Sequence, residues 1–313
     1  MDNLLLAFTV VFPLCALMLL GYFLKTIKML DQHSLEVFNV GVFKVFLPCL
    51  LFKNVYTANV EEVLNPTFLG FCVATVIVTT LVLFVIIPLI EKDKAKIGVM
   101  IQGIFRSNFV LFGLPVATNL FGEENTGLVS VMIAIIVPLY NFIAVIVLEI
   151  FRGSKKINFG KIIKGIISNP LILASLLAMC FLALDIKLPN FLYEPIDDIS
   201  KMATPLSLII LGGCFDFSQL GGNLRNLSIC VLGKLVIVPA IALAIAVAIG
   251  YRNIELGSYL TMISAPTAVS SFTMAQQMDG DGVLASQIVV VTTALCIFSI
   301  FVWIFVLKQL NLL

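Results

Sequence analysis

The sequence predicts an all-α integral membrane protein of ten transmembrane helices, arranged as two inverted five-helix repeats with broken, crossing helices 4 and 9. Three observations predict it. The 313-residue chain is 60% hydrophobic and only 12% charged, about half the roughly 25% charged share of soluble domains. Its apolar residues fall in runs of about 20, the length that crosses a hydrocarbon core. Two of those runs are interrupted at matching places by a proline among small and polar residues, Gly113-Leu114-Pro115 in one and Ala265-Pro266-Thr267 in the other. A broken backbone at membrane depth is tolerated only where it lines a protected cavity, and a pair of breaks in corresponding halves marks a transporter's binding site.

The ten spans run at about 4–24, 35–56, 67–90, 98–120, 128–151, 166–185, 200–218, 228–250, 257–278 and 285–307. The chain starts Met1-Asp2-Asn3, with an acid where a signal peptide has bases, so the first run reads as a retained span. The basic loop from Arg152 to Lys164 divides two five-span halves: residues 1–151 form the first repeat, 152–165 a cytoplasmic linker and 166–313 the second repeat. Five spans per half is an odd number, so halves of one fold must be inverted relative to each other. Spans four and nine are then mates, as are two and seven, which carry central prolines Pro48 and Pro205.

Charge sets the orientation. Lys25, Lys28, Lys92, Lys94, Lys96, Arg152, Lys155, Lys156, Lys161, Lys164 and Arg225 all fall on one side. The other side carries Glu61, Glu62, Glu123, Glu124, Glu194, Asp197, Asp198 and Glu255, with few bases. The positive-inside rule places the first side in the cytoplasm of a multi-pass protein of the cell membrane, with both termini extracellular.

Other function classes are poorly served. Net charge is +1, so nothing points to nucleic acid. The seven cysteines all lie in apolar runs with no C-x-x-C spacing, as small buried hydrophobes do. The one histidine, His33, lies in a short polar loop. A membrane enzyme would need paired acids, a Ser–His or Ser–Lys arrangement, or metal ligands facing the bundle. No catalytic residue, metal site or cofactor is expected.

The breaks carry the chemistry. Proline lacks a backbone N–H and suits the first position of a helix, so Pro115 and Pro266 read as starts of second half-helices, with Gly113 supplying the torsions of the first break. Each half-helix N-terminus offers free N–H groups and about +0.5 of charge, which attracts an anion. Asn108, Thr118 and Asn119 surround the first break; Thr267, Ser270, Ser271, Thr273, Gln276 and Gln277 follow the second. These groups either donate to a carboxylate or heal the freed backbone. Of the embedded charges, Arg106 and Lys234 lie toward span ends, where long side chains reach water. Asp216 also lies near a span end. Lys44, one turn before Pro48, is the better placed to attract an anion. No acid falls in the middle of the fourth or ninth span, where an ion-coupled antiporter carries one. A monovalent anion gains about 2.3 kcal/mol per 100 mV by leaving an inside-negative cell, so efflux needs no coupled ion.

At these residues the chain resembles the auxin efflux carrier family, which includes bacterial malate and malonate permeases and the plant PIN carriers. Leu47-Pro48 with Leu50-Leu51-Phe52 resembles its second-span pattern. Arg106, Asn108, Gly113-Leu114-Pro115 and Phe121-Gly122 resemble its fourth. Asn169-Pro170-Leu171, Pro205-Leu206 with Leu211-Gly212, and Lys234-Leu235-Val236 with Pro239 resemble the sixth, seventh and eighth. Ala265-Pro266-Thr267-Ala268-Val269-Ser270, with Gly280 and Asp281 after it, is the most specific match. Short loops resemble the bacterial members. The resemblance implies a permease or efflux carrier for small organic anions such as carboxylates, a scaffold and a transport bundle, and alternating access at the crossover of helices 4 and 9. Asn108, Pro115 and Pro266 match the family's carboxylate site. With their neighbours, the expected substrate-binding residues are Asn108, Gly113, Pro115, Val116, Ala117, Pro266, Thr267, Ala268, Ser270, Pro48 and Lys44. The expected partners are the organic anion, the lipid bilayer and, by resemblance, a second copy in a homodimer. The alternative is a sodium-coupled organic anion symporter of the bile-acid type, which shares the inverted five-span fold.

Overall fold

The computed structural model describes residues 2–57, 65–122, 127–152, 159–184, 186–215 and 220–313, and their side chains except those of 2–11, 114, 115, 118, 119, 159–162, 183 and 220. Asp216, weighed above as an embedded charge, lies outside the described residues, as do Glu61, Glu62, Glu123, Glu124, Lys155 and Lys156. Among the described residues the elements are all helices. In order the helices are α1 (Asp2–Thr26), α2 (Gln32–Tyr56), α3 (Pro66–Ile90), α4 (Lys94–Phe105), α5 (Phe109–Phe121), α6 (Gly127–Ile150) and α7 (Phe159–Ile167). They continue with α8 (Pro170–Ala183), α9 (Asn190–Cys214), α10 (Gly221–Ile249), α11 (Asn253–Ser264), α12 (Ser270–Gln277) and α13 (Gly282–Gln309).

Polar caps set where helices begin. The side chains of Asp31, Asn65, Asp93, Asn169 and Asp281 each accept from a backbone N–H two or three residues on, at 2.7 to 3.1 Å, opening α2, α3, α4, α8 and α13. Proline fills the first position of α3 and α8, where no N–H is needed. At its C-terminus α10 stops at Gly250, whose φ of 112° a side chain would strain.

Inner prolines widen two helices into single π-turns, Val42–Phe46 in α2 and Gly233–Ile237 in α10. Each ends two residues before a proline, Pro48 or Pro239, whose ring clashes with the carbonyl four residues back. For Pro239 that carbonyl is Leu235, and it accepts the indole N–H of Trp303 from α13 at 3.0 Å instead.

Among the described residues α2, α3, α6, α10 and α13 are each long and apolar enough to cross a membrane. Their outer faces are greasy: Leu81, Val85 and Leu89 on α3, and Phe298, Val302 and Phe305 on α13, are exposed. In water that would be a liability; in a bilayer it is the lipid-facing surface. The protein is therefore an all-helical, multi-pass membrane protein. The residue ranges expected for the other spans overlap α1, α8, α9 and the consecutive pairs α4–α5 and α11–α12, with α9 starting ten residues earlier than the range 200–218.

Helix ends meet in two groups. At one, Lys96 donates to Asn223 at 3.0 Å, Asn226 to Glu91 at 2.5 Å, Arg152 pairs with Asp279 at 2.8 Å, and the Asp281 N–H donates to the Ala95 carbonyl at 3.2 Å. At the other, Asn65 donates to Glu255 at 2.8 Å, the Asn253 N–H to the Leu312 carbonyl at 2.9 Å, and the Leu188 N–H to the Tyr56 hydroxyl at 2.8 Å.

Candidate functional site

Two backbone interruptions meet at the centre of the bundle. After α4 the chain is extended through Arg106-Ser107-Asn108 before α5 begins; after α11 it is irregular through 265–269 before α12 begins. The two stretches pair as an antiparallel bridge between Ser107 and Thr267, and the Asn108 N–H donates to the Pro266 carbonyl at 2.8 Å. Side chains satisfy other freed groups, as a buried broken backbone requires. Thr267 Oγ1 donates to the Gly103 carbonyl at 2.6 Å, the Thr267 N–H to Thr292 Oγ1 at 3.2 Å, and Gln102 Nε2 to the Ser271 carbonyl at 3.0 Å.

The prolines do not begin the second half-helices, contrary to expectation. Pro115 lies inside α5, which starts at Phe109, and Pro266 lies within the second break, four residues before α12. The breaks are placed by their mutual pairing, which no local proline signal encodes.

Two cations sit in this crossing with no acid bonded to either among the described residues. Arg106 is 3% exposed. Its guanidinium donates to Ser270 Oγ at 2.7 Å, to Asn141 Oδ1, and toward Ser271 Oγ at 3.5 Å, and it touches Met274 Sδ. Lys234 is 1% exposed; its ammonium donates to Ser107 Oγ and toward the Ile263 carbonyl at 3.5 Å. Both are sealed in protein and do not reach water at a span end.

Arg106 borders a cavity of about 70 Å³, room for roughly five waters at about 15 Å³ each. α2 contributes Leu47, Leu50, Leu51 and Asn54 from one helical face; α6 contributes Val137, Tyr140 and Asn141; α9 contributes Thr204 and Ser207; Leu171 comes from α8. The crossing supplies Arg106, Ser107, Asn108, Ala268, Val269 and Ser270. The Nδ2 groups of Asn54 and Asn108 are buried without a partner among the described residues. The cavity wall therefore includes a full positive charge and two residues whose amide donors no described protein group accepts, while the amide oxygen of Asn141 is engaged by Arg106.

Of the expected site residues, Asn108, Ala268 and Ser270 line the cavity. Thr267 and Pro266 are buried in the crossing itself. Gly113, Val116 and Ala117 are buried in the packing of α5: a Cβ on Gly113 would meet the Phe109 ring at 2.8 Å and Val129 at 3.2 Å. The side chain of Pro115 lies outside the described residues. Pro48 is half-buried on α2 and does not line the cavity, and Lys44 is exposed. Arg106, and not Lys44, borders the cavity. Asn54, Tyr140 and Asn141 were not singled out in the sequence. The available signal was helical spacing: 47, 50, 51 and 54 share one face of α2, as 137, 140 and 141 do on α6.

Residues 6–304 match the family model described as membrane transport protein. An uncharacterized transporter of Methanocaldococcus jannaschii is 25% identical over 307 residues, covering 94% of this chain and 96% of its own. An uncharacterized transporter of Methanothermobacter thermautotrophicus is 24% identical over 296 residues, covering 94% and 96%. A protein of Rhizobium meliloti named "Putative malonate transporter" is 26% identical over 301 residues, covering 93% and 92%.

Proposed function

The chain belongs to the membrane transport protein family, that of the auxin efflux carriers, and from that premise we propose that it is a secondary carrier of small carboxylate anions. Buried Arg106 carries the proposal. A buried charge without a counter-charge is costly; among the described residues only neutral groups accept from Arg106, so an anion entering the cavity gains from it. A carboxylate fits: one oxygen accepts from the guanidinium, and the other accepts from the open amides of Asn54 or Asn108. Charge-assisted bonds of this kind are roughly twice as strong as neutral ones. The name of the Rhizobium meliloti relative supports a short dicarboxylate such as malonate.

The proposed architecture is two inverted five-helix repeats, 1–151 and 166–313, joined by the cytoplasmic linker. Paired contacts support it. α1 packs on α9 as α8 packs on α2; α3 meets α4 as α10 meets α11; α5 meets α6 as α12 meets α13. The two groups of helix ends described above also separate the loops as the lysine and arginine bias does, which supports a cytoplasmic linker and extracellular termini in the cell membrane. Transport proceeds by alternating access: the crossing and its bound anion move against the helices that close the cavity, α2, α6, α8 and α9.

The test is ligand-induced thermal stabilisation of the detergent-purified protein. Short mono- and dicarboxylates are expected to raise the melting temperature saturably, while amines and neutral compounds of equal size do not. If no carboxylate stabilises the protein, the proposal fails.

A further inference from the structure

The second buried cation has no place in the cavity. Lys234 is absent from the cavity lining, and its ammonium bonds to Ser107 and Ile263 within the crossing. Ile263 is in the last turn of α11, where carbonyls have no helical partner. Ser107 is two residues past the end of α4. Each helix C-terminus carries about −0.5 of charge, so the two half-helices together present roughly one negative charge, which one ammonium balances. The tether is specific. Lys234 sits in the π-turn of α10, a device that occurs often at functional sites. The preceding Gly233 lets α10 approach α4, since a Cβ there would meet Ile104 at 3.3 Å. Trp303 holds the same π-turn through the Leu235 carbonyl.

Resting on the carrier reading, we propose that the Lys234 ammonium is a resident cation at the crossing, occupying by tether the position in which a cation-coupled carrier would hold a transported ion. The cycle then moves its anion without a co-transported metal cation. This also separates the two basic residues: Arg106 meets the cargo, and Lys234 is a positioning residue that holds the crossing together.

The experiment compares the parent with Lys234→Ala and with Lys234→Met, which keeps length but not charge. Carboxylate flux in proteoliposomes and melting temperature are measured in choline, sodium and methylammonium salts at equal ionic strength. Parent flux is expected to be unchanged when choline replaces sodium. Both variants are expected to lose about tenfold in choline, the loss of bonds to a charged group. In Lys234→Ala, methylammonium or sodium restores flux and raises the melting temperature saturably, an effect absent from the parent. Sodium-stimulated parent flux, full activity of Lys234→Met, or a Lys234→Ala variant that no small cation stabilises each overturns the inference. Absence of parent flux with every carboxylate defeats the carrier reading instead, and the cation-dependent melting temperature still decides the role of Lys234.

Discussion

The backbone N–H of Asn108 donates to the carbonyl of Pro266 across 2.8 Å, joining two segments more than 150 residues apart. That bond, with the Ser107–Thr267 bridge beside it, turns two interrupted helices into one object. It aims Arg106 and the Asn108 side chain at one cavity and leaves Lys234 on the far side of Ser107.

Arg106 is expected to dominate affinity. Arg106→Gln should weaken carboxylate binding about 10- to 100-fold, from hydrogen bonds to a charged group worth about 1.5–3 kcal/mol. Arg106→Lys should recover little of it, because an ammonium cannot reproduce the planar fork. Titration calorimetry on the purified variants checks both. Unchanged binding by Arg106→Gln would remove the residue from the site.

The two open amides should separate affinity from stability. Among the described residues the Nδ2 groups of Asn54 and Asn108 have no protein partner. Removing them therefore costs the fold no side-chain donor bond, and replacing an unsatisfied buried group by an apolar one is near neutral or stabilising. Asn54→Leu and Asn108→Ala are each expected to bind carboxylate about five- to tenfold more weakly, about 1 kcal/mol, with a melting temperature equal to or above the parent's.

Much of this was legible in the sequence and some was not, for physical reasons. Apolar run length and paired Pro-containing interruptions are local signals: the first led to the helical membrane protein, and the second to the stretches that meet in the crossing. The cavity-lining roles of Asn108, Ala268 and Ser270 followed from them. The exact break did not: proline marks where a helix is weak, whereas Arg106–Asn108 is extended because it pairs with a distant segment. The depth of Lys44, Arg106 and Lys234 was equally hidden. Each is a lone base in an apolar run, and only the neighbouring helices decide that Lys44 faces outward while the other two are enclosed. Asn54 carries no signal of its own in the sequence; the packing of α2 against α6 and α8 places it at the cavity.

The contact of α1 with α9 is made backbone to backbone and should tolerate no side chain. A Cβ on Gly212 would lie 1.8 Å from the Met18 carbonyl oxygen, and one on Gly21 would lie 1.9 Å from that of Ile209. Small residues of this kind let membrane helices approach closely. Gly212→Ala is expected to lose about 3 kcal/mol, the upper end of overpacking costs. Gly70→Ala, on the open face of α3 with nothing within 4 Å, should be neutral or gain up to about 1 kcal/mol of helix propensity. Denaturation of both variants in detergent makes the comparison.

Glu91 gives the turn between α3 and α4 a pH dependence. The Asp93 N–H, bonded to Oε1 at 2.9 Å, holds its carboxyl below the usual carboxylate range; Asn226 on α10 and the Lys92 N–H add to the effect. A lowered folded-state value means that the stabilisation is complete above the unfolded-state value, about 4.3, and is lost as pH falls through the folded-state value. Below about pH 5 the parent's melting temperature should therefore fall more steeply than that of Glu91→Gln. Parallel curves would show that the clamp contributes nothing.

The most direct test of the carrier reading is malonate flux from proteoliposomes under an imposed membrane potential. The account predicts saturable efflux, faster when the potential drives anions outward, and lost in Arg106→Gln while that variant still folds. Flux of malonate and other short carboxylates no greater than from protein-free liposomes, at either sign of potential, would contradict it.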